Sequence, residues 1–130
     1  MNGLILMMSL WACGGETPPP PAPTAAVAPG HRRDVEVRDL HDAGKVRVLD
    51  VRTRGETLTG MVPNAVNIPI DDLQARMAEL GPPTDEEIYV ICKSGGRSAA
   101  ASQMLVANGY NVVNVKGGMM AWLDAGYPTD

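Results

Sequence analysis

The segment YVICKSGGRSAAAS, Tyr89 to Ser102, ends an apolar run on a cysteine and then places a lysine, two glycines and an arginine within five residues. Cys92 closes a run that reads as a strand, and the helical run from Ser98 to Ala107 points its N-terminus back toward it. Unpaired amides at a helix start attract anions, and the helix macrodipole favours a thiolate over a thiol. Gly95 and Gly96 permit positive φ, so the backbone of Lys93, Ser94, Gly95, Gly96 and Arg97 can turn its N–H groups inward as a nest. Lys93 and Arg97 add positive charge. Together these features predict a Cys92 pKa below that of an ordinary thiol and a nucleophilic sulfur. The same cradle would hold a small dianion, or a sulfur anion carried on Cys92 itself. Simpler roles exist for each residue: Cys92 as a small core hydrophobe, Gly95–Gly96 as a tight turn, Ser98 as a helix cap, Arg97 as a surface charge. None of these roles explains why all of them fall within seven residues.

The flanking elements must bring that loop to a strand end. VEVRDLHDAG begins with a short alternating run, and Leu40 and Ala43 can share a helical face before Gly44 ends the element. KVRVLDVR is a strand with Asp50 at its exit, and AVNIPI is a short strand-like run stopped by Pro69. DDLQARMAELG predicts a helix with Asp71 or Asp72 at the cap and Leu73, Met77 and Leu80 on one face. EIYVIC is the most apolar strand and is expected at the centre of the sheet. The following helix carries Ala101, Met104 and Leu105 at helical spacing and ends at Asn108–Gly109. NVVNV is a further strand, and GGMMAWLDAG a last short helix with Trp122 and Leu123 as packing anchors. Strands alternating with helices predict an α/β fold with a mainly parallel central sheet. In such sheets ligands bind at the carboxyl ends of the strands, where both Cys92 and the Asp50–Arg52 segment fall.

Composition narrows the function. A chain of 130 residues is one domain with at most a tail. A net charge of −4 and scattered Lys and Arg argue against nucleic acid as a partner. The two histidines stand alone and there is no Cys-x-x-Cys, so neither a metal site nor a metal cofactor is expected. Cys13 and Cys92, the only cysteines, sit in settings too different to form a disulfide framework.

Residues 1–13, MNGLILMMSLWAC, are apolar from Leu4 to Ala12, too short a run to span a bilayer. They fit the apolar core of a signal peptide, and LWAC, Leu10 to Cys13, resembles the bacterial lipobox, in which the cysteine is lipidated. The absence of Lys or Arg before the run and the bulk of Trp11 depart from that pattern. Residues 14–33 form a Pro/Ala/Gly-rich linker whose prolines favour an extended spacer. The expectation is an exported, periplasm-facing protein, lipid-anchored to a membrane through Cys13, with a globular domain over 34–130. Acylation of Cys13 would leave Cys92 with no intramolecular thiol partner.

CKSGGRS, Cys92 to Ser98, resembles the active loop of single-domain rhodaneses, the thiosulfate or persulfide sulfurtransferases. VLDVRTRGETLTGMVPNAVNIPIDDL, Val48 to Leu73, is similar to the strand and approach segment of that family. VKGGMMAWLDAGYP, Val115 to Pro128, is similar to its C-terminal Gly-Gly-x-x-x-Trp signature. The resemblance covers nearly everything from Val35 onward. It implies a three-layer domain with helices flanking the sheet. It implies Cys92 as the nucleophile that becomes a persulfide, and the backbone from Lys93 to Arg97 as the substrate cradle. Lys93 and Arg97 would tune donor preference, with Ser98 capping the helix behind. Asp50, Arg52 and Glu56 match positions that order charged groups around the loop, although each acid could instead form a surface ion pair of little worth. Met61, where histidine is usual, and Thr57, where an aromatic is usual, depart from the family pattern.

The implied reaction is a double displacement between a small anionic sulfur donor and a thiol or cyanide acceptor, with no organic cofactor. Tyrosine phosphatases also set a cysteine and an arginine around an anion loop, but with five intervening residues; here there are four. The tighter ring suits a single sulfur better than a tetrahedral phosphate. A non-catalytic binding module of the same fold, or a persulfide carrier or sensor, is the alternative from another class. A retained Cys92 argues against binding alone, and it does not separate carrier from catalyst.

Overall fold

The computed structural model describes residues 28–130, so the export and lipidation expected at Cys13 lie outside the described residues. In chain order the elements are β1 (Arg32–Val35), α1 (Val37–Ala43), β2 (Arg47–Asp50), α2 (Arg54–Thr57), β3 (Val66–Asn67), α3 (Ile70–Arg76), β4 (Glu87–Ile91), α4 (Gly96–Ala107), β5 (Asn111–Val115) and α5 (Gly118–Asp124). A 3₁₀ turn, Met77–Leu80, follows α3 directly.

The strands form one sheet in the order β1-β5-β4-β2-β3, and every pairing is parallel. Successive side chains of a strand point to opposite faces, so each strand feeds two cores. Leu49, Ile88, Val90 and Val112 pack with Leu73, Met77, Ala101 and Leu105 of the α3 and α4 layer. Val48, Tyr89, Ile91, Val113 and Val115 pack with Leu40, Met119 and Trp122 of the α1 and α5 layer. The result is the expected α/β arrangement of three layers. The alternation Ile88, Val90, Cys92 carries the cysteine onto the α4 face, beneath the start of that helix.

The strand β4 is central, as its apolar character predicts, and it lies beside β2 with Asp50 opposite Ile91. From these two strand ends the chain leaves in opposite directions, toward edge strand β3 after β2 and toward β5 after β4. That divergence opens a crevice at the carboxyl edge of the sheet, the place where such folds bind ligands. The Val51 N–H donates to the Ile91 carbonyl at 3.0 Å, so the two exits are locked in register.

Several local expectations need correction. The buried partner of Leu40 on α1 is Val37, one turn earlier, while Ala43 is exposed; Gly44, at φ +74°, does end the helix. Only Val66–Asn67 of AVNIPI pairs as a strand, because Pro69 already serves as the N-cap of α3. Asp71 and Asp72 consequently lie in the first turn, where they complement the helix dipole without capping it. In α5, Met119 and Trp122 are buried three residues apart, and Leu123 faces solvent at 49% exposure. Leu123 is not a packing anchor. The short helix α2 was absent from the sequence expectation, although Thr53-Arg-Gly-Glu56 carries the S/T-x-x-E spacing of a capping box, and that box forms.

Candidate active site

Cys92 follows the last residue of β4 and is 1% exposed. Its Sγ accepts a hydrogen bond from the Gly95 N–H at 3.0 Å. Gly95 is the N-cap of α4 with φ +117°, a conformation that a side chain would strain, so a glycine lets the loop fold over its own cysteine. Burial pushes the Cys92 thiol up. Hydrogen bonds from the Ser98 hydroxyl and from the backbone N–H groups of Ser98, Gly95 and Ser94 outweigh it, and the net pKa is lowered. The amides that reach the sulfur are those of Ser94, Gly95 and Ser98; of the two loop glycines only Gly95 takes positive φ, while Gly96 already opens α4. Ser98 does not cap α4: it is fully buried inside the first turn, and its Oγ donates to the Gly95 carbonyl at 3.1 Å. That hydroxyl has one proton, shared between the carbonyl and the sulfur.

What turns the loop amides inward is visible in its carbonyls. The Cys92 carbonyl accepts from the Met119 N–H at 2.7 Å, and the Lys93 carbonyl from the Met120 N–H at 3.0 Å. These donors are otherwise unpaired amides of the first turn of α5. The approach is so close that a Cβ on Gly118 would lie 2.4 Å from the Cys92 oxygen and 2.5 Å from the Lys93 oxygen. Gly118 is required there for space. The Gly-Gly pair at 117–118 is thus a second clamp on the sulfur loop, from the opposite side of the sheet.

Two arginine–carboxylate pairs stand beside it. Asp50 is fully buried and Arg52 is 3% exposed. The Arg52 Nε donates to both carboxylate oxygens at 3.0 Å and Nη2 donates to Oδ2 at 2.7 Å. The same guanidinium reaches the Glu56 carbonyl at 3.2 Å and the Gly60 carbonyl at 2.7 Å, tying down α2 and the turn after it. The capping box fixes Glu56: its carboxylate accepts from the Thr53 N–H at 2.9 Å while the Thr53 Oγ accepts from the Glu56 N–H. So held, Glu56 grips Arg97 through both oxygens, at 2.6 and 2.8 Å. The Arg97 guanidinium, with help from the Thr53 backbone, holds the Glu56 carboxyl well below the usual carboxylate range. Of the expected site residues, the structure thus brings Asp50, Arg52, Glu56 and Arg97 into one connected chain at the loop.

A cleft of about 280 Å³ opens between α2 and α5, lined by Arg52, Glu56, Thr59, Lys93, Met119, Met120 and Leu123. Cys92 lies under the loop beside it and is absent from its walls. Sequence reasoning did not anticipate the apolar side of this cleft, which comes from α5. Thr57 and Met61, the two departures, do not line it either: the Thr57 hydroxyl donates to the Arg54 carbonyl, and the Met61 backbone exchanges hydrogen bonds with Asp130. Among the described residues no group of three His, Cys, Asp or Glu side chains is placed to hold a metal ion.

The chain is similar to several known proteins. A sulfurtransferase of Allochromatium vinosum is 38% identical over 90 residues, covering 68% of this chain and 82% of that protein. Thiosulfate:glutathione sulfurtransferase of Homo sapiens is 31% identical over 102 residues, covering 68% of this chain and 89% of that protein. Among solved structures, a rhodanese-related protein of Thermoplasma volcanium superposes with a TM-score of 0.70 at 38% identity, over 75% of this chain and 97% of that one. Residues 34–125 match the family model of the rhodanese-like domain. The chain belongs to the rhodanese-like domain family.

Proposed function

We propose that this protein is a sulfurtransferase that carries sulfane sulfur on Cys92. The observation that carries the reading is the Cys92 sulfur itself, buried beneath an amide-lined loop, hydrogen-bonded by Gly95 at 3.0 Å and lowered in pKa. In the loading step the thiolate attacks the outer sulfur of thiosulfate; the donor S–S bond breaks and sulfite leaves with the electron pair. Cys92 then holds a terminal sulfur anion, which the inward amides of the loop stabilise without reorganisation. In the second step an acceptor thiolate, or cyanide, attacks that outer sulfur and the Cys92 thiolate departs. A persulfide donor would load the same site. Lys93, Ser94 and Gly96 are exposed above the buried sulfur, so donor and acceptor reach it across the loop. Lys93, which pairs with no acidic side chain among the described residues, biases the approach toward anions, while the charge of Arg97 is matched by Glu56.

Support comes from the family membership and from relatives whose names include sulfurtransferase. We also propose that the leader directs export and that Cys13 carries a lipid, on the strength of its lipobox-like setting. One experiment tests both. The intact mass of the full-length protein, extracted from membranes and incubated with thiosulfate or polysulfide, is recorded beside Cys92→Ala. The expected result is one added sulfur atom on the parent, removed by cyanide and absent from the variant, with a lipid adduct on Cys13 in both. A parent that gains no sulfur from either donor rejects the transferase reading, and an unmodified Cys13 rejects the anchor.

A further inference from the structure

The charges around the loop are largely spoken for. Arg52 is matched by Asp50 and Arg97 by Glu56, leaving Lys93 as the cation on the cleft wall that pairs with no acidic side chain among the described residues. One unmatched cation on the cleft wall suits a ligand with a single anionic group. The apolar part of the lining comes from α5: Met119, Met120 and Leu123 supply it, and Met120 and Leu123 stand 52% and 49% exposed. Two large apolar side chains left half in water beside a reactive loop mark a surface for a ligand. At about 280 Å³ the cleft sits at the small end of organic ligand sites, large enough for a short chain and too small for a folded partner to enter.

From this charge and surface pattern we infer that the acceptor is an organic thiol with an apolar body and a single anionic group. The body lies along Met119, Met120 and Leu123, and the anion meets Lys93. The inference rests on the sulfurtransferase reading and narrows its acceptor. In the step, the acceptor thiolate attacks the outer sulfur of the Cys92 persulfide. A new S–S bond forms on the acceptor, the Cys92 S–S bond breaks, and Cys92 leaves as thiolate. The product is the organic persulfide, and the reverse step makes that persulfide a donor.

The test uses the full-length protein loaded with sulfur from thiosulfate or polysulfide, and the discharge of Cys92 is followed by quenched-flow intact mass. Acceptors are 3-mercaptopropionate, 6-mercaptohexanoate and 6-mercaptohexan-1-ol, all unactivated alkyl thiols, so intrinsic nucleophilicity is nearly matched. Three extra methylenes lying partly on the apolar wall make 6-mercaptohexanoate about tenfold faster than 3-mercaptopropionate. It also outpaces the alcohol severalfold. In Met120→Ser/Leu123→Ser, two exposed positions whose change leaves the core intact, the chain-length ratio falls toward one. In Lys93→Gln the ratio of carboxylate to alcohol falls toward one. Equal rates for the two carboxylates in the parent, or an unchanged chain-length ratio in the double variant, overturn the acceptor assignment alone. A protein that never loads sulfur overturns the sulfurtransferase reading and this inference with it.

Discussion

The Asp50–Arg52 and Glu56–Arg97 pairs have similar contacts and opposite surroundings. In the first, the side chains are 0% and 4% exposed; in the second, 29% and 34%. Both bring an arginine to a carboxylate at hydrogen-bond distance, so geometry does not separate them. Water does. A buried pair has surrendered its hydration, and each member depends on the other to remain charged inside the protein. A half-exposed pair retains a solvated alternative and is worth little to stability, but its charge is felt by whatever approaches. The inner pair therefore sets the shape of the site, holding α2 and the Gly60 turn through two carbonyls. The outer pair sets the electrostatics at its mouth.

The largest effect comes from breaking the inner pair. Arg52→Met leaves Asp50 buried without its partner and frees the Glu56 and Gly60 carbonyls. The expected loss is about 3–5 kcal/mol of unfolding free energy, measured as a fall in the urea midpoint at neutral pH. Removing the acid as well, in Asp50→Leu/Arg52→Met, relieves the uncompensated charge and recovers part of that stability. Its sulfur loading stays low, because α2 still lacks its anchor. A double variant as unstable as the single one would show that the pair is held by its hydrogen bonds to α2 more than by burial of charge.

The outer pair is probed by Glu56→Gln. The amide keeps the shape, can still accept from the Thr53 N–H, and can still accept one bond from Arg97. Stability changes by about 1 kcal/mol or less at neutral pH. The charge at the loop rises by one, so the KM for thiosulfate falls about three- to tenfold and becomes more sensitive to salt. Acid titration gives an independent check with a definite sign. The folded Glu56 pKa is depressed below its ordinary 4.5, so its contribution is present above that value and is lost as pH falls through the folded pKa. Between neutrality and about pH 5 the parent and the variant should therefore differ in stability by a constant amount, and converge only at more acidic pH. A difference that already vanished near pH 6 would mean the pair does not form in solution.

How much of this was legible in the sequence follows from the range of each interaction. The apolar run EIYVIC is local, and it places Cys92 correctly at the exit of a central strand; that the cysteine falls on the α4 face came only from the structure. The glycines around it are local too, so an amide-lined loop could be read directly. The Asp50–Arg52 pair could not, because residues two apart on a strand face the same side only while the strand continues. Here β2 ends at Asp50, and Arg52 folds back onto it from the following turn. Glu56 and Arg97 are 41 positions apart, joined only by the packing of α2 against the loop. Gly118 shows a different limit. Its presence in a Gly-Gly pair is plain in the sequence, whereas the Cys92 carbonyl 2.4 Å from its missing Cβ is a fact of tertiary structure. Leu123 fails for the same reason, since a helix of seven residues offers too few turns to decide which apolar side chains face the sheet.

The smallest expected effect concerns Ser98, which belongs to neither pair and acts on the sulfur without carrying charge. Its proton is divided between the Gly95 carbonyl and Cys92, so it contributes less than a dedicated donor would. Ser98→Ala should move the Cys92 pKa upward, while the amides of Gly95 and Ser94 continue to favour the thiolate. Thiolate absorbance, followed against pH with Cys92→Ala as the blank, would show the midpoint rise. Sulfur loading near neutral pH would slow about threefold and recover as pH increases. Stability carries the same sign: a thiol lowered from its ordinary 9.0 contributes most above that value and loses the contribution as pH falls through the folded pKa. Ser98→Ala should narrow that window from its acid side. A midpoint that does not move would assign the stabilisation of the thiolate to the backbone amides alone, and would make the serine a strut for Gly95.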